Sequence, residues 1–191
     1  MTEYINSFWS NAQKEFAALD FSRLAIYAIF IALIVHIGCI IYIKVTDKSI
    51  SIGTEILIIA LLVYTGLIVG VSYFNRAPNS QAAVIQLKPL TWEENVDQNM
   101  TNILNVLAFL IWGLLVAAID NHKKIWSKTA SMVGYSFVFG LILEVTKYVT
   151  RRGYFEFDNI EGSIIGAVVG CLIVCGIDML IKKHKLLDEE R

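Results

Sequence analysis

The sequence predicts an all-α, polytopic membrane protein: a bundle of five transmembrane helices preceded by an amphipathic helix in the membrane interface. Three observations carry that reading. Hydrophobic residues make up 56% of the 191 and charged residues only 17%, against roughly a quarter charged in a soluble domain. The mean hydropathy is +0.60. The apolar residues also gather in runs, and about 20 such residues in a helix cross some 30 Å of hydrocarbon.

Residues 1–23 place Ile5, Phe8, Trp9, Ala12, Phe16 and Leu19 at helical spacing, with Asn6, Ser10, Lys14 and Glu15 largely elsewhere. That pattern suits a helix lying in the interface rather than across it. The first span is expected at about 24–43, the second at 55–74 and the third at 102–119. Leu24 to Ile43, Ile56 to Phe74 and Ile103 to Ile119 carry no formal charge. The fourth, about 129–149, is apolar until Glu144 and Lys147 interrupt it, and the fifth, about 162–181, until Asp178. Charges so placed suit helices buried in a bundle and facing protein or head groups. Residues 182–191 read as a basic, then acidic, tail. The longest polar connection, Asn75 to Thr101, holds both prolines, Pro78 and Pro89, and is too short to fold alone. One membrane domain over 24–181 is expected.

Five spans put the termini on opposite sides. One side collects six basic residues: Lys14, Arg23, Arg76, Lys88, Arg151 and Arg152. The other collects nine: Lys44, Lys48, Lys123, Lys124, Lys128, Lys182, Lys183, Lys185 and Arg191. The positive-inside rule makes the second side cytoplasmic and leaves the N-terminus outside.

The stretch from Glu144 to Gly162 is the most informative. Glu144, Lys147, Tyr148 and Arg151 follow i, i+3, i+4, i+7 spacing and are expected on one helix face. A short loop then brings Glu156, Asp158 and Glu161 to the start of the fifth span. The result is a mixed-charge cluster at the outer interface, with Glu144 expected to pair with Arg151 or Arg152. Structural alternatives stand beside this reading: an ion pair between helices, or a D-x-x-E capping arrangement of Asp158 and Glu161. Gly162, Gly166 and Gly170 recur every four residues on one face, spacing that lets helix backbones approach closely, within the chain or between two chains. Asn99, Asn102 and Asn105 stack where the third span begins and are placed to reach the Glu144 cluster or to anchor their own helix.

An acidic-to-arginine helix end, an acidic loop and then G-x-x-x-G resemble the signature of VanZ-like membrane proteins. Glu144, Arg152, Glu156, Asp158, Gly166 and Gly170 fill matching positions. Upstream, Gln86-Leu87-Lys88-Pro89 resembles the family's N-L-x-P element, and Asn105, Phe109 and Gly113 its N-x-x-x-F-x-P-x-G element. Lys147 stands where the family usually has Gln, Asn159 where it has Asp, Ser163 where it has Asn, and Ile111 where it has Pro. The resemblance implies a cell-membrane protein of the envelope, with a role tied to susceptibility to teicoplanin-type glycopeptides. It suits a non-enzymatic binding or shielding function toward a glycopeptide, a lipid-linked wall precursor or an anionic lipid. The alternative is a small intramembrane enzyme on a lipid-linked or phosphate-bearing substrate, with Glu144 or Asp158 as acid or base and Arg151 or Arg152 holding phosphate.

The remaining candidates point to structure. Cys39, Cys171 and Cys175 fall within spans and read as buried packing, and His36 reads as an interhelical hydrogen bond. No phosphate-binding loop, dinucleotide fingerprint, zinc motif or nucleophile elbow occurs, so no cofactor, metal or nucleic-acid partner is expected.

Overall fold

The computed structural model describes residues 2–17, 21–46, 49–74, 84–91, 96–120 and 124–189. The described chain runs α1 (Thr2–Ala17), α2 (Phe21–Thr46), α3 (Ile52–Val69), a π-helical turn (Gly70–Phe74), β1 (Ile85–Gln86), α4 (Val96–Ile119), α5 (Ile125–Val149), β2 (Phe155–Glu156) and α6 (Phe157–Glu189). Five of these helices, α2 to α6, are long and apolar enough to cross a membrane. The protein is therefore an all-α, multi-pass membrane protein. Its small sheet pairs β1 with β2 in parallel, Ile85 opposite Phe155 and Gln86 opposite Glu156. Residues as polar as Asn99 and Asn102 fall inside α4, which starts ahead of its apolar run, and both are buried. At the far end α6 runs unbroken through Lys182, Lys183 and Lys185 to Glu189.

Lipid tails are as apolar as leucine, so helices in a bilayer associate chiefly through close packing and interhelical hydrogen bonds. The glycines of α4 and α6 supply the first. A Cβ placed on Gly166 would lie 2.2 Å from the Val106 carbonyl oxygen, one on Gly170 2.3 Å from that of Leu110, and one on Gly113 2.3 Å from that of Ala167. Backbone thus meets backbone on both sides of the contact. The glycine face packs on α4 of the same chain, the intrachain form of the close approach expected from its spacing. α5 lies against another face of α6, where a Cβ on Gly140 would come 3.2 Å from Ser163 Oγ.

Hydrogen bonds fix α3 to α4: Tyr64 Oη donates to the Ala108 carbonyl (3.0 Å) and Trp112 Nε1 to Thr65 Oγ1 (3.1 Å). Phe139 of α5 reaches across to Phe109 and Trp112, with both ring centroids 5.5 Å away. Phe109 and Trp112, with Met132, Leu143, Ala167 and Cys171, belong to the apolar core, and the half-buried Phe139 packs against it. Ser51 caps α3 by accepting the Thr54 N–H at 3.1 Å. α2 is mostly exposed along its length, and His36 binds Glu55 of α3 at 2.6 Å, the interhelical bond expected of that histidine.

At the end where α3 stops and α4 and α6 begin, α1 packs on α4. Ser7 donates to the Asp97 carboxylate and Ala12 is buried, while Ile5 and Trp9 point outward, as an interfacial helix should. Leu19, expected on the same apolar stripe, lies outside the described residues. At the opposite end Lys128, counted among the basic residues of that side, is only 3% exposed. Its Nζ donates to the Ala117 carbonyl at 3.1 Å and lies 3.9 Å from Asp178 Oδ2. The lysine satisfies a carbonyl in the last turn of α4, where the helix dipole favours a cation.

The α4–α6 contact yields a direct test. Gly166→Leu drives a side chain into the α4 backbone and should lower the melting temperature in detergent by about 5–10 °C, from an overpacking cost of about 1–3 kcal/mol. Ile165→Leu, on an exposed face, should leave it within about 1–2 °C. Equal melting temperatures would show that the glycines do not carry the packing.

Candidate functional site

Glu144 and Lys147 sit three residues apart near the end of α5, each only 3% exposed. Their side chains form a salt bridge of 2.5 Å between Lys147 Nζ and Glu144 Oε1. The second oxygen of Glu144 accepts the backbone N–H of Glu156 at 3.0 Å, so the carboxylate holds β2 as well as the lysine. The Glu156 carboxylate lies 3.9 Å from the same Nζ, beyond hydrogen-bonding distance. Two carboxylates thus share one ammonium group. A buried charge at this depth is tolerable only when paired and hydrogen-bonded.

Asn159 organises the other half. Its side-chain amide donates to Glu156 Oε2 at 2.8 Å. Its backbone carbonyl accepts two bonds, from Asn105 Nδ2 of α4 at 2.8 Å and from Ser163 Oγ at 2.6 Å. Asn105, Glu144, Lys147 and Glu156 are therefore brought together, joined through a residue whose role sequence reasoning missed. Its signals were that Asn159 and Ser163 occupy signature positions of the resemblance and lie four apart on one helix face, as i, i+4 neighbours do.

The arginines part from this group, which corrects the expectation that one of them neutralises Glu144. The helix ends at Val149, and the chain closes it with paired bonds from Arg151 N–H to the Tyr148 carbonyl (3.1 Å) and from Arg152 N–H to the Lys147 carbonyl (2.9 Å). This is a Schellman turn. Its left-handed position, normally glycine, is Arg151, at φ 56°. The turn takes Arg151 off the helical face that i+7 spacing assumed and leaves it exposed. The D-x-x-E capping pair also separates. Asp158 Oδ1 accepts the adjacent Asn159 N–H at 2.9 Å, and Glu161 Oε2 accepts the Leu90 N–H at 2.6 Å. Glu161 thereby ties the 84–91 connection to α6, beside the Phe155 N–H bond to the Val84 carbonyl at 3.0 Å.

A cavity of about 610 Å³ opens beside the cluster. Glu144, Lys147, Glu156 and Asn159 line one end of it, with Gln98, Thr101, Asn105 and Ser163. Tyr64, Leu67 and Ile68 of α3 and Val71 of the π-helical turn form one wall, and Leu143 belongs to the facing wall on α5. Leu104, Leu107, Ala108 and Ile111 of α4 run between them as a floor. Asn11 and Ala12 of α1 border the polar end. Among the described residues no group of three or more His, Cys, Asp or Glu is arranged to hold a metal ion.

The two motif regions seen in the sequence converge here. Asn105, Phe109 and Gly113 lie along α4 against α6, and Gln86 pairs with Glu156 through the sheet. A sequence profile of the VanZ/LLP1 family matches residues 55–181, from the first turn of α3 into α6. The chain belongs to the VanZ/LLP1 family. No curated protein and no solved structure matches it. The match takes in the cavity apart from its α1 border. Two departures from the VanZ pattern, Asn159 and Ser163, sit in one hydrogen-bonded line with Asn105. A third, Lys147, supplies the partner of Glu144.

The pair predicts non-additive stability. Glu144→Gln leaves Lys147 with only the Glu156 carboxylate, 3.9 Å away, and should cost about 3–5 kcal/mol, as for a broken buried ion pair. Adding Lys147→Gln, the residue usual in the family, should restore more than half of the lost melting temperature. A double variant as unstable as the single one would show that the two charges do not depend on each other.

Proposed function

We propose that this VanZ-family protein is a non-enzymatic binding protein of the cell envelope. It seats the polar end of an amphipathic molecule among Glu144, Lys147, Glu156, Asn159 and Asn105, and this binding bears on susceptibility to teicoplanin-type glycopeptides. The observation that carries the reading is the cavity itself: charged and amide groups at one end, apolar helix walls along the rest. Ligand sites commonly combine apolar walls with a few polar groups that fix orientation.

The second reading, an intramembrane enzyme acting on a lipid-linked substrate, draws support from Glu156 sharing Lys147 with Glu144. A general acid or base needs hydrogen-bond reach to the reacting proton. Both oxygens of Glu144 are already committed, one to Lys147 and one to the Glu156 N–H, which favours holding over proton transfer. The arginines proposed as phosphate ligands, Arg151 and Arg152, follow the helix-ending turn and are absent from the cavity lining.

In this proposal the polar end faces outward across the cell membrane. Removing the buried Lys128 from the count of nine leaves eight basic residues at the opposite end against six at the polar end. The balance still favours that orientation. Lys48, Arg76, Lys123 and Arg191 lie outside the described residues.

Cells expressing the protein should shift in teicoplanin susceptibility relative to an empty vector, and Glu156→Gln at matched abundance should lose most of that shift. No shift with the parent protein would remove the envelope role. For orientation, cysteines placed at Leu87 and Tyr154 should react with an impermeant thiol reagent in intact cells, and those at Ser127 and Lys185 should not. The three native cysteines are buried, so the parent sets the baseline; the reverse pattern would invert the topology.

A further inference from the structure

We infer that the occupant of the cavity is a membrane lipid whose head carries a primary ammonium group, and that it enters sideways from the bilayer between α3 and α5. This names the ligand of the binding function proposed above and rests on it. Leu107 and Ile111 of the floor line the cavity and yet are 41% and 45% exposed. At their level the furrow is open to whatever surrounds the helices, which for spanning segments is lipid. From Leu104 to Ile111 the floor extends about 10 Å along α4 at 1.5 Å per residue, enough to receive the upper part of an acyl chain. At the polar end α1 contributes Asn11 and Ala12 to the border and packs on α4, so the aqueous side is the covered one. A water-borne ligand meets a roof, whereas a lipid meets a slot.

The head group follows from charge. Among the described lining residues two carboxylates, Glu144 and Glu156, stand against one cation, Lys147. Lys147 is closed on Glu144, and Glu156 lies 3.9 Å from its ammonium. In surroundings of low dielectric a residual negative charge attracts a cation strongly and repels an anion. A primary ammonium beside Glu156 supplies that charge, and its three N–H donors need acceptors. The side-chain oxygens of Gln98, Thr101 and Asn105 lie on the same lining. The expected occupant is thus cationic or zwitterionic at its tip, which replaces the anionic lipid and the free glycopeptide anticipated from resemblance.

Native mass spectrometry of the detergent-solubilised protein, exchanged into defined lipids, tests this. Phosphatidylethanolamine or lysyl-phosphatidylglycerol should be retained at least about tenfold over phosphatidylglycerol, the ratio set by one charged hydrogen-bonded contact. Acetylating the amine of phosphatidylethanolamine should abolish the preference without touching the protein, and Glu156→Gln should level it. Stronger retention of the lysyl lipid would identify an aminoacylated lipid as the source, and the reverse a zwitterionic phospholipid. Leu107→Trp, which fills the floor, should reduce retention of every lipid, and water-soluble glycerophosphoethanolamine should not compete. Equal retention of phosphatidylglycerol would overturn the head-group assignment while leaving the binding function standing. Competition by the soluble head group would overturn sideways access, and retention of no lipid at all would sink both.

Discussion

Everything at the polar end depends on how closely α4 approaches α6. Without glycine at 113, 166 and 170, the two backbones would be held apart by side chains, because a Cβ at any of these positions falls about 2.2–2.3 Å from a carbonyl oxygen of the opposite helix. Water does not squeeze helices together inside a bilayer, so that approach comes from the fit of the surfaces. The distance from Asn105 on α4 to the Asn159 carbonyl on α6 is fixed by it, and so is the position of Phe109 beneath the furrow. α5 reaches the same hub from its other side through Gly140 and Ser163. The cavity is the space left between α3 and α5 once both have been fastened to this central pair.

Much of this was legible in the sequence because it was periodic or contiguous. The three uncharged runs announced helices, the glycines at four-residue spacing announced a close contact, and His36 within an apolar span announced an interhelical bond. The order of motif elements led to the family before the fold was in view. The elements that escaped prediction share a cause: each depends on where the chain stops being helical or on what lies opposite in space. Arg151 shares a helical face with Glu144 only if the helix continues, and a left-handed arginine is a poor stop signal compared with glycine. Glu161 holds the Leu90 N–H, a partner 71 residues away. Lys128 counts as one more basic residue of its side until α4 and α6 place a carbonyl and a carboxylate against it.

The polar groups also divide by the work they do. Lys128 and Glu161 spend their hydrogen bonds on backbone groups that would otherwise go unmet, a need that is acute where no water is available. Glu144 does the same for β2 while neutralising Lys147. Glu156 is different. It lies near a cation already closed on another carboxylate, and its amide neighbour Asn159 offers a hydrogen bond but no charge. Buried polar side chains among the described residues all find hydrogen-bond partners, and Glu156 differs in sharing its cation with a second carboxylate.

The two-residue strand that carries Glu156 also decides which side chain lines the cavity. Successive strand residues point to opposite faces, so a register slip of one position exchanges their sides. Here a slip would present Phe155 where Glu156 now stands, turning the charged end of the furrow into a continuation of its apolar wall. The bonds from Phe155 N–H to Val84 and from Glu156 N–H to the Glu144 carboxylate hold the strand from two directions. The length of the short stretch between Thr150 and Phe155 is therefore a chemical parameter of the cavity: one inserted residue would set Phe155 in place of Glu156 beside the Glu144–Lys147 pair and leave that end without its second carboxylate.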